Sequence, residues 1–121
     1  MKTRSNGISD ISDRMVAYIL SRGIDELAEL NVNAIARKFR MNRSYLSERF
    51  NMDKKMPMHR YILMIKLLRS LSLLEQGGIT VEEVSRKMGF SGTDYFRKVF
   101  KKMMGTTPGN YKSWYRKGYK E

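Results

Sequence analysis

The stretch Ile79-Thr80-Val81-Glu82-Glu83-Val84-Ser85-Arg86-Lys87-Met88-Gly89-Phe90-Ser91, followed by Tyr95-Phe96 and Phe100, reads as two short helices joined by a tight turn. Thr80 and Glu83 have the spacing of a capping box, in which the threonine accepts from one helix-start N–H and the glutamate reaches back to another. Val81, Val84 and Met88 then recur at helical spacing and face inward. Gly89 stands where a left-handed turn residue is needed. Ser91, with Asp94 three residues on, is expected to open the second helix, whose buried stripe is Tyr95, Phe96, Val99 and Phe100.

The same pattern occurs once before. Tyr45-Leu46-x-x-x-Phe50 followed by Tyr61 matches Tyr95-Phe96-x-x-x-Phe100 followed by Tyr111, each pair 50 residues apart. Ahead of these, Ala36…Met41-Asn42 matches Ser85…Phe90-Ser91 at an offset of 49, so the second copy carries one more residue at the start of its later helix. Two copies are too few for a solenoid, and they read as a duplicated helix-turn-helix. In the first copy a helix from Val32 to Phe39 turns through Arg40-Met41 into a helix from Asn42 to Phe50. Its buried stripe is Tyr45, Leu46, the stem of Arg49, and Phe50.

Between the copies lies Tyr61-Ile62-Leu63-Met64-Ile65, then Leu67, Leu68, Leu71, Leu73 and Leu74, interrupted by Lys66, Arg69, Ser70 and Ser72. A helix that apolar on nearly all sides must be covered from more than one direction. It is therefore a central core helix, from about Pro57 to Glu75, ended by Gln76-Gly77-Gly78. An opening helix is expected to start from Asp10 as N-cap and to carry Ile11, Met15, Tyr18 and Ile19 up to Gly23. A closing helix, after Thr107-Pro108, carries Tyr111, Trp114 and Tyr115 at core spacing before Gly118. No strand-like alternation is sustained, which makes the fold all-α.

Composition narrows the function. The 121 residues fit one domain, and 24 Lys and Arg against 12 Asp and Glu leave a net charge of +12. Such a chain is drawn to a polyanion before any specific contact forms. From Arg86 to Lys120 the only acid among ten basic residues is Asp94. A hydrophobic fraction of 41%, with ten Met, is enough for a packed core. The lack of cysteine removes disulfides, thiolate metal sites and cysteine nucleophiles. The single histidine, His59, reads as structural or exposed, and excludes a His-rich metal site or a catalytic histidine pair. No 18-residue apolar run is present, and Met1 to Gly7 lacks the apolar segment of a secretion signal. An enzyme is disfavoured, and no cofactor or metal is implied.

With the apolar stripes buried, the first copy presents Arg43, Ser44, Ser47 and Glu48 outward, and the second presents Thr93, Asp94, Arg97, Lys98 and Lys101. Arginine can fork onto guanine, a carboxylate can accept from the cytosine amino group, and serine or threonine suits either edge. The plainer reading is a polar surface such as any amphipathic helix has; duplication and charge favour base contact.

The second copy, in particular, resembles the DNA-binding domain of the AraC/XylS family of bacterial transcription regulators. The resemblance rests on Gly89-Phe90-Ser91, Tyr95-Phe96, Phe100-Lys101-Lys102, Gly105 and Pro108-x-x-Tyr111 in combination, and spans roughly Ser12 to Tyr115. It implies about seven helices forming two homeodomain-like helix-turn-helix units joined by the central helix, with a recognition helix in each of two successive major-groove segments. Departures concentrate in the first copy. Arg40 replaces the usual turn glycine, Lys55 another glycine, Met58 a proline, and Asn42 a capping serine; Ser85 stands for a common alanine in the second copy.

The expected organisation is then a linker or tail over 1–10, a first helix-turn-helix subdomain over 11–60, a central helix over 57–76, a second subdomain over 79–117 and a tail over 118–121. Arg43, Ser44, Ser47 and Glu48 are expected to read bases in one segment, and Thr93, Asp94, Arg97 and Lys98 in the next. Asn42, Arg49, Lys101 and Lys102 are expected at phosphates. The expected partners are double-stranded promoter DNA, with RNA polymerase as a candidate second partner, and no membrane. The expected location is the bacterial cytoplasm, at the nucleoid. A sensor or receiver domain does not fit in this length, so the chain is either a short regulator or the C-terminal piece of a longer one, with Ser5 to Asp10 a linker remnant. The competing reading is an architectural protein that binds phosphates without reading bases. A single-stranded RNA binder would need exposed aromatics on a platform, whereas these aromatics sit at core spacings.

Overall fold

In a computed structural model that describes residues 7–117, the chain forms eight helices and, among the described residues, no strand. They are α1 (Gly7–Ser21), α2 (Ile24–Ala28), α3 (Val32–Phe39), α4 (Arg43–Lys54), α5 (Met58–Leu74), α6 (Val81–Lys87), α7 (Thr93–Met104) and α8 (Pro108–Lys117). The all-α expectation holds, and α3–α4 and α6–α7 are the two helix-turn-helix pairs. The eighth helix is the short α2, which carries no apolar periodicity long enough to read. Helix α1 begins at Gly7, so Asp10 lies within it and does not cap it. The last four residues of the expected linker, 7–10, are thus its first turn, while 1–6 and the expected tail at 118–121 lie outside the described residues.

Helix α5 is buried at Met58, Ile62, Ile65, Leu67, Ser70, Leu73 and Leu74. Its partners come from both copies: Leu46 and Phe50 of α4, Val84 and Met88 around α6, and Phe96 and Phe100 of α7 belong to the same core cluster. The polar residues that interrupt its apolar run have structural work. Arg69 donates to the carbonyls of Arg22 (2.9 Å) and Leu20 (2.6 Å), closing the C-terminal end of α1. Lys66 donates to the Ala28 carbonyl at the end of α2 (3.2 Å). Cations suit both places, because helix C-termini leave carbonyls unpaired and carry partial negative charge. Partial burial of Lys66 pushes its pKa below the ordinary lysine value. Buried Ser70 satisfies its hydroxyl on the Leu67 carbonyl (2.6 Å).

The caps explain where helices start. Asn31, Asn42, Thr80 and Thr107 each accept from a backbone N–H three residues on, and Thr80 with Glu83 completes the reciprocal capping box. Ser91 is a correction: the N-cap of α7 is Gly92, with no side-chain cap bond. The extra residue of the second copy falls in its turn and displaces the serine from the capping position. Tyr45 and Tyr95 are also corrections, being 42% and 46% exposed rather than buried. Tyrosine tolerates such places because its ring covers neighbouring apolar surface while its hydroxyl stays in water; the Tyr95 ring lies 6.2 Å from that of Phe90. Trp114, expected in the core, is 54% exposed and rests against Tyr111 at 5.7 Å between ring centroids.

Turn geometry separates the two copies. Gly89 and Gly105 have φ of 78° and 83°, and their counterparts Arg40 and Lys55 have φ of 55° and 60°. A side chain in the left-handed region crowds the following carbonyl, so the first copy holds two strained positions where the second has glycine. Gly89 is constrained twice over, since a Cβ there would lie 2.1 Å from the carbonyl oxygen of Ala28. The turn of the second copy thus sits against the end of α2. Gly89→Ala should lower stability by about 3 kcal/mol or more, from backbone strain plus a clash with atoms that cannot rotate away. Arg40→Gly should raise it by about 0.5–1 kcal/mol. Urea unfolding of the two variants checks the pair, and a Gly89→Ala protein as stable as the parent contradicts the close approach.

Candidate nucleic-acid interface

Helices α4 and α7 are fixed from behind by Leu46 and Phe50, and by Phe96 and Phe100, all fully buried. With a period of 3.6 residues, anchoring that stripe turns the opposite side of each helix to solvent. On α4, Arg43, Ser44, Ser47, Glu48 and Asn51 come together in one open groove, walled by Pro57, Met58 and His59 at the start of α5. Among the described residues no carboxylate lies within 4 Å of Arg43. Two members of this surface escape the sequence reading. Asn51 is one helical step beyond Ser47 and could have been found by extending the series. His59 reaches the groove only because α5 folds back beside α4, which periodicity does not report.

The expected phosphate ligands of the first copy divide. Asn42 is exposed and uses its side-chain oxygen to cap α4 at the Tyr45 N–H (3.0 Å), leaving its amide nitrogen for an outside acceptor. Arg49 points the other way. Its side chain is 19% exposed and lies 3.8 Å from Asp53, whose carboxylate also accepts the hydroxyl of buried Ser12 at 2.6 Å. Its Nε is buried without a hydrogen-bond partner. This cluster clamps α1 to α4 on the side away from the reading face.

On α7, Thr93 is partly buried in the first turn, and Asp94, Arg97, Lys98, Lys101 and Lys102 are exposed. Among the described residues no carboxylate lies within 4 Å of Lys98, Lys101 or Lys102. Arg97 differs. Its guanidinium donates to Glu82 of α6 at 3.0 Å and to Asp94 at 3.4 Å. The Glu82 carboxyl is held below the usual carboxylate range, first by its own backbone N–H and then by Arg97. Glu82 was not singled out from the sequence as a site residue. Helical period does not point to it, because its partner Arg97 is 15 residues on and on another helix.

Among the described residues no group of three or more His, Cys, Asp or Glu could hold a metal ion, and no helix is long and apolar enough to cross a membrane. What the surface offers is two parallel sets of hydrogen-bonding side chains on two helix-turn-helix units, with unpaired cations around them. That arrangement suits base edges flanked by phosphates.

Comparison with known proteins agrees. A helix-turn-helix domain family matches residues 35–113, well over half of the chain. The Msm operon regulatory protein of Streptococcus mutans is 35% identical over 85 residues, covering 70% of this chain and 31% of that protein. The transcriptional regulator MtrA of Neisseria gonorrhoeae is 27% identical over 101 residues, covering 83% of this chain and 34% of that one. The chain thus spans about a third of the length of these two relatives. Among solved structures, an AraC-type regulator from Chromobacterium violaceum superposes with a TM-score of 0.76 at 19% identity, covering 93% of this chain and 97% of that one. The DNA-binding domain of AdpA, solved with a target DNA, gives 0.73 at 24% identity, covering 87% and 92%. Two helix-turn-helix units on one central helix, and a family match that runs through both, place this chain in the AraC/XylS-type helix-turn-helix family of bacterial transcription regulators, as a DNA-binding domain of that type.

Proposed function

We propose that α4 and α7 read two successive major-groove segments of one promoter, so that a single chain addresses a bipartite site. The observation that carries this is α5. Its 17 residues make a rod about 26 Å long at about 1.5 Å per residue, packed against both units. Successive major-groove faces of B-DNA are about 34 Å apart, and a helix of this length holds the units at that scale of separation.

The reading assigns roles by position. Arg43, Ser44, Ser47 and Glu48, with Asn51 beside them, face one segment; Thr93, Asp94, Arg97 and Lys98 face the other. Lys101, Lys102 and Asn42 hold phosphates, and Arg49 serves the α1–α4 clamp instead. The boundaries follow the helices: a first unit over 11–60, the central helix over 57–76, and a second unit over 79–117. The domain acts in transcription and not as an enzyme, at the nucleoid of a bacterial cell. In the whole protein it works beside a sensor or receiver domain and contacts RNA polymerase at the promoter; support for that second domain is the greater length of the relatives.

Binding should depend steeply on salt. If about six phosphates are neutralised, log affinity against log salt should slope by about −5 on duplex DNA. Lys101→Ala with Lys102→Ala should weaken all duplexes alike and reduce that slope by about two. A slope near zero at a tightly bound site removes phosphate contact from the account.

A second measurement tests the rigid pair. Sites selected from random duplexes should show two sub-sites one helical turn apart. Inserting one base pair between them rotates one against the other by about a tenth of a turn and shifts it by about 3.4 Å. Affinity should then fall by about ten-fold or more. Full tolerance of the insertion means that only one unit touches bases.

A further inference from the structure

The second reading helix carries a contact that its counterpart lacks. Arg97 stands on the exposed face of α7 and is held by two carboxylates, Asp94 from its own helix and Glu82 from α6, at 3.4 and 3.0 Å. The positions matching Glu82, Asp94 and Arg97 in the first copy are Asn33, Ser44 and Ser47, none of them charged. The trio is therefore a feature of the second unit and not of the repeat.

From this geometry we infer that Glu82 is a specificity-determining positioning residue: it orients the Arg97 guanidinium toward one guanine without touching DNA itself. The inference rests on Arg97 reading a base, as argued above. Donor counting makes it feasible. A guanidinium has five N–H donors in a rigid fork. Glu82 takes one on Nη2 and Asp94 one on Nη1. The second N–H of each terminal nitrogen, together with Nε–H, stays free, which is enough for a bidentate contact to guanine O6 and N7. The side chain is 44% exposed, so the fork remains open to solvent on that side.

The chemistry has two consequences of opposite sign. An arginine free to rotate binds any nearby phosphate or acceptor; one held on two sides presents its remaining donors in a single direction. Glu82 thus narrows what Arg97 can bind. At the same time its charge lies at a surface that meets phosphates, and it repels every duplex equally. Removing it should improve general affinity and spoil discrimination. A residue that only stabilises α6 would lower both together.

The experiment uses the 121-residue chain and duplexes carrying either the selected site or single base-pair changes within the second sub-site. Arg97→Ala should cut the preference for guanine at one position by about five-fold or more, the range of a lost bidentate contact. Glu82→Ala should cut the same preference by about three- to ten-fold, while tightening binding to unrelated duplex. Glu82→Gln, whose amide oxygen still accepts from Nη2, should restore most of the preference but keep the tighter general binding. In an Arg97→Ala background, Glu82→Ala should leave base preference unchanged.

If Arg97→Ala alters base preference and Glu82→Ala does not, the positioning role is overturned while the base contact stands. If Arg97→Ala leaves preference unchanged, the base contact and the positioning role fall together. A Glu82→Ala effect that persists in the Arg97→Ala background also overturns the inference, because Glu82 then acts on DNA directly. Thermal melting of each variant, expected within a few degrees of the parent for these exposed positions, separates all three outcomes from misfolding.

Discussion

Everything else in this molecule depends on covering α5. A 17-residue helix with buried residues on more than one side cannot stand alone in water, and it shares one core cluster with residues of both helix-turn-helix units. Residues of both units belong to the cluster that covers it, and the two units meet through the helix they share. Apolar burial is non-directional, so it brings the units together without fixing their angle. The directional part comes from Lys66 and Arg69, which end α2 and α1 by donating to their last carbonyls. Gly89 then lets the turn of the second unit press against that same end of α2. These contacts, at the ends of α1 and α2, tie both units to the one central helix.

The two units share a plan and differ in how they are held. The first has an additional brace, in which Asp53 collects Arg49 and Ser12 and ties α1 to α4. The same unit holds two left-handed residues, Arg40 and Lys55, where the second unit has glycines. The second unit has relaxed turns and a denser set of unpaired cations along α7. Its outward face is the one with an arginine held by two carboxylates. The two copies of one scaffold thus differ in their balance between strain, bracing and charge.

Charge placement also separates attraction from selection. Among the described residues Lys98, Lys101 and Lys102 have no carboxylate within 4 Å, and an ammonium on a long stem suits phosphates at variable distance. Arg97, by contrast, is engaged on two sides, which suits a planar target approached from one direction. The same helix therefore carries an arginine held on two sides and lysines without a carboxylate beside them, a few residues apart.

The fold was legible in the sequence because the signals that encode it are local and periodic. The repeat, the apolar run of α5 and the Thr80–Glu83 capping box each place helices without knowledge of their neighbours, and the outward faces of α4 and α7 follow from burying Leu46, Phe50, Phe96 and Phe100. What failed was what depends on a neighbour. Ser91 missed the capping position by the one residue inserted in the turn, Tyr45, Tyr95 and Trp114 lay at core spacing yet at the edge of the core, and α2 was too short to show a period. The stem of Arg49 lies at core spacing and its guanidinium has Asp53 one turn on, but that Asp53 also holds Ser12 of α1 is a contact between helices. The sequence by itself determined seven of the eight helices and the residues that anchor α4 and α7 from behind, because period and capping act within a few residues. The tertiary structure alone decided that Lys66 and Arg69 end two other helices, that Gly89 meets Ala28, and that Glu82 holds Arg97, because each joins groups whose distance is set by how helices cross and not by their separation along the chain.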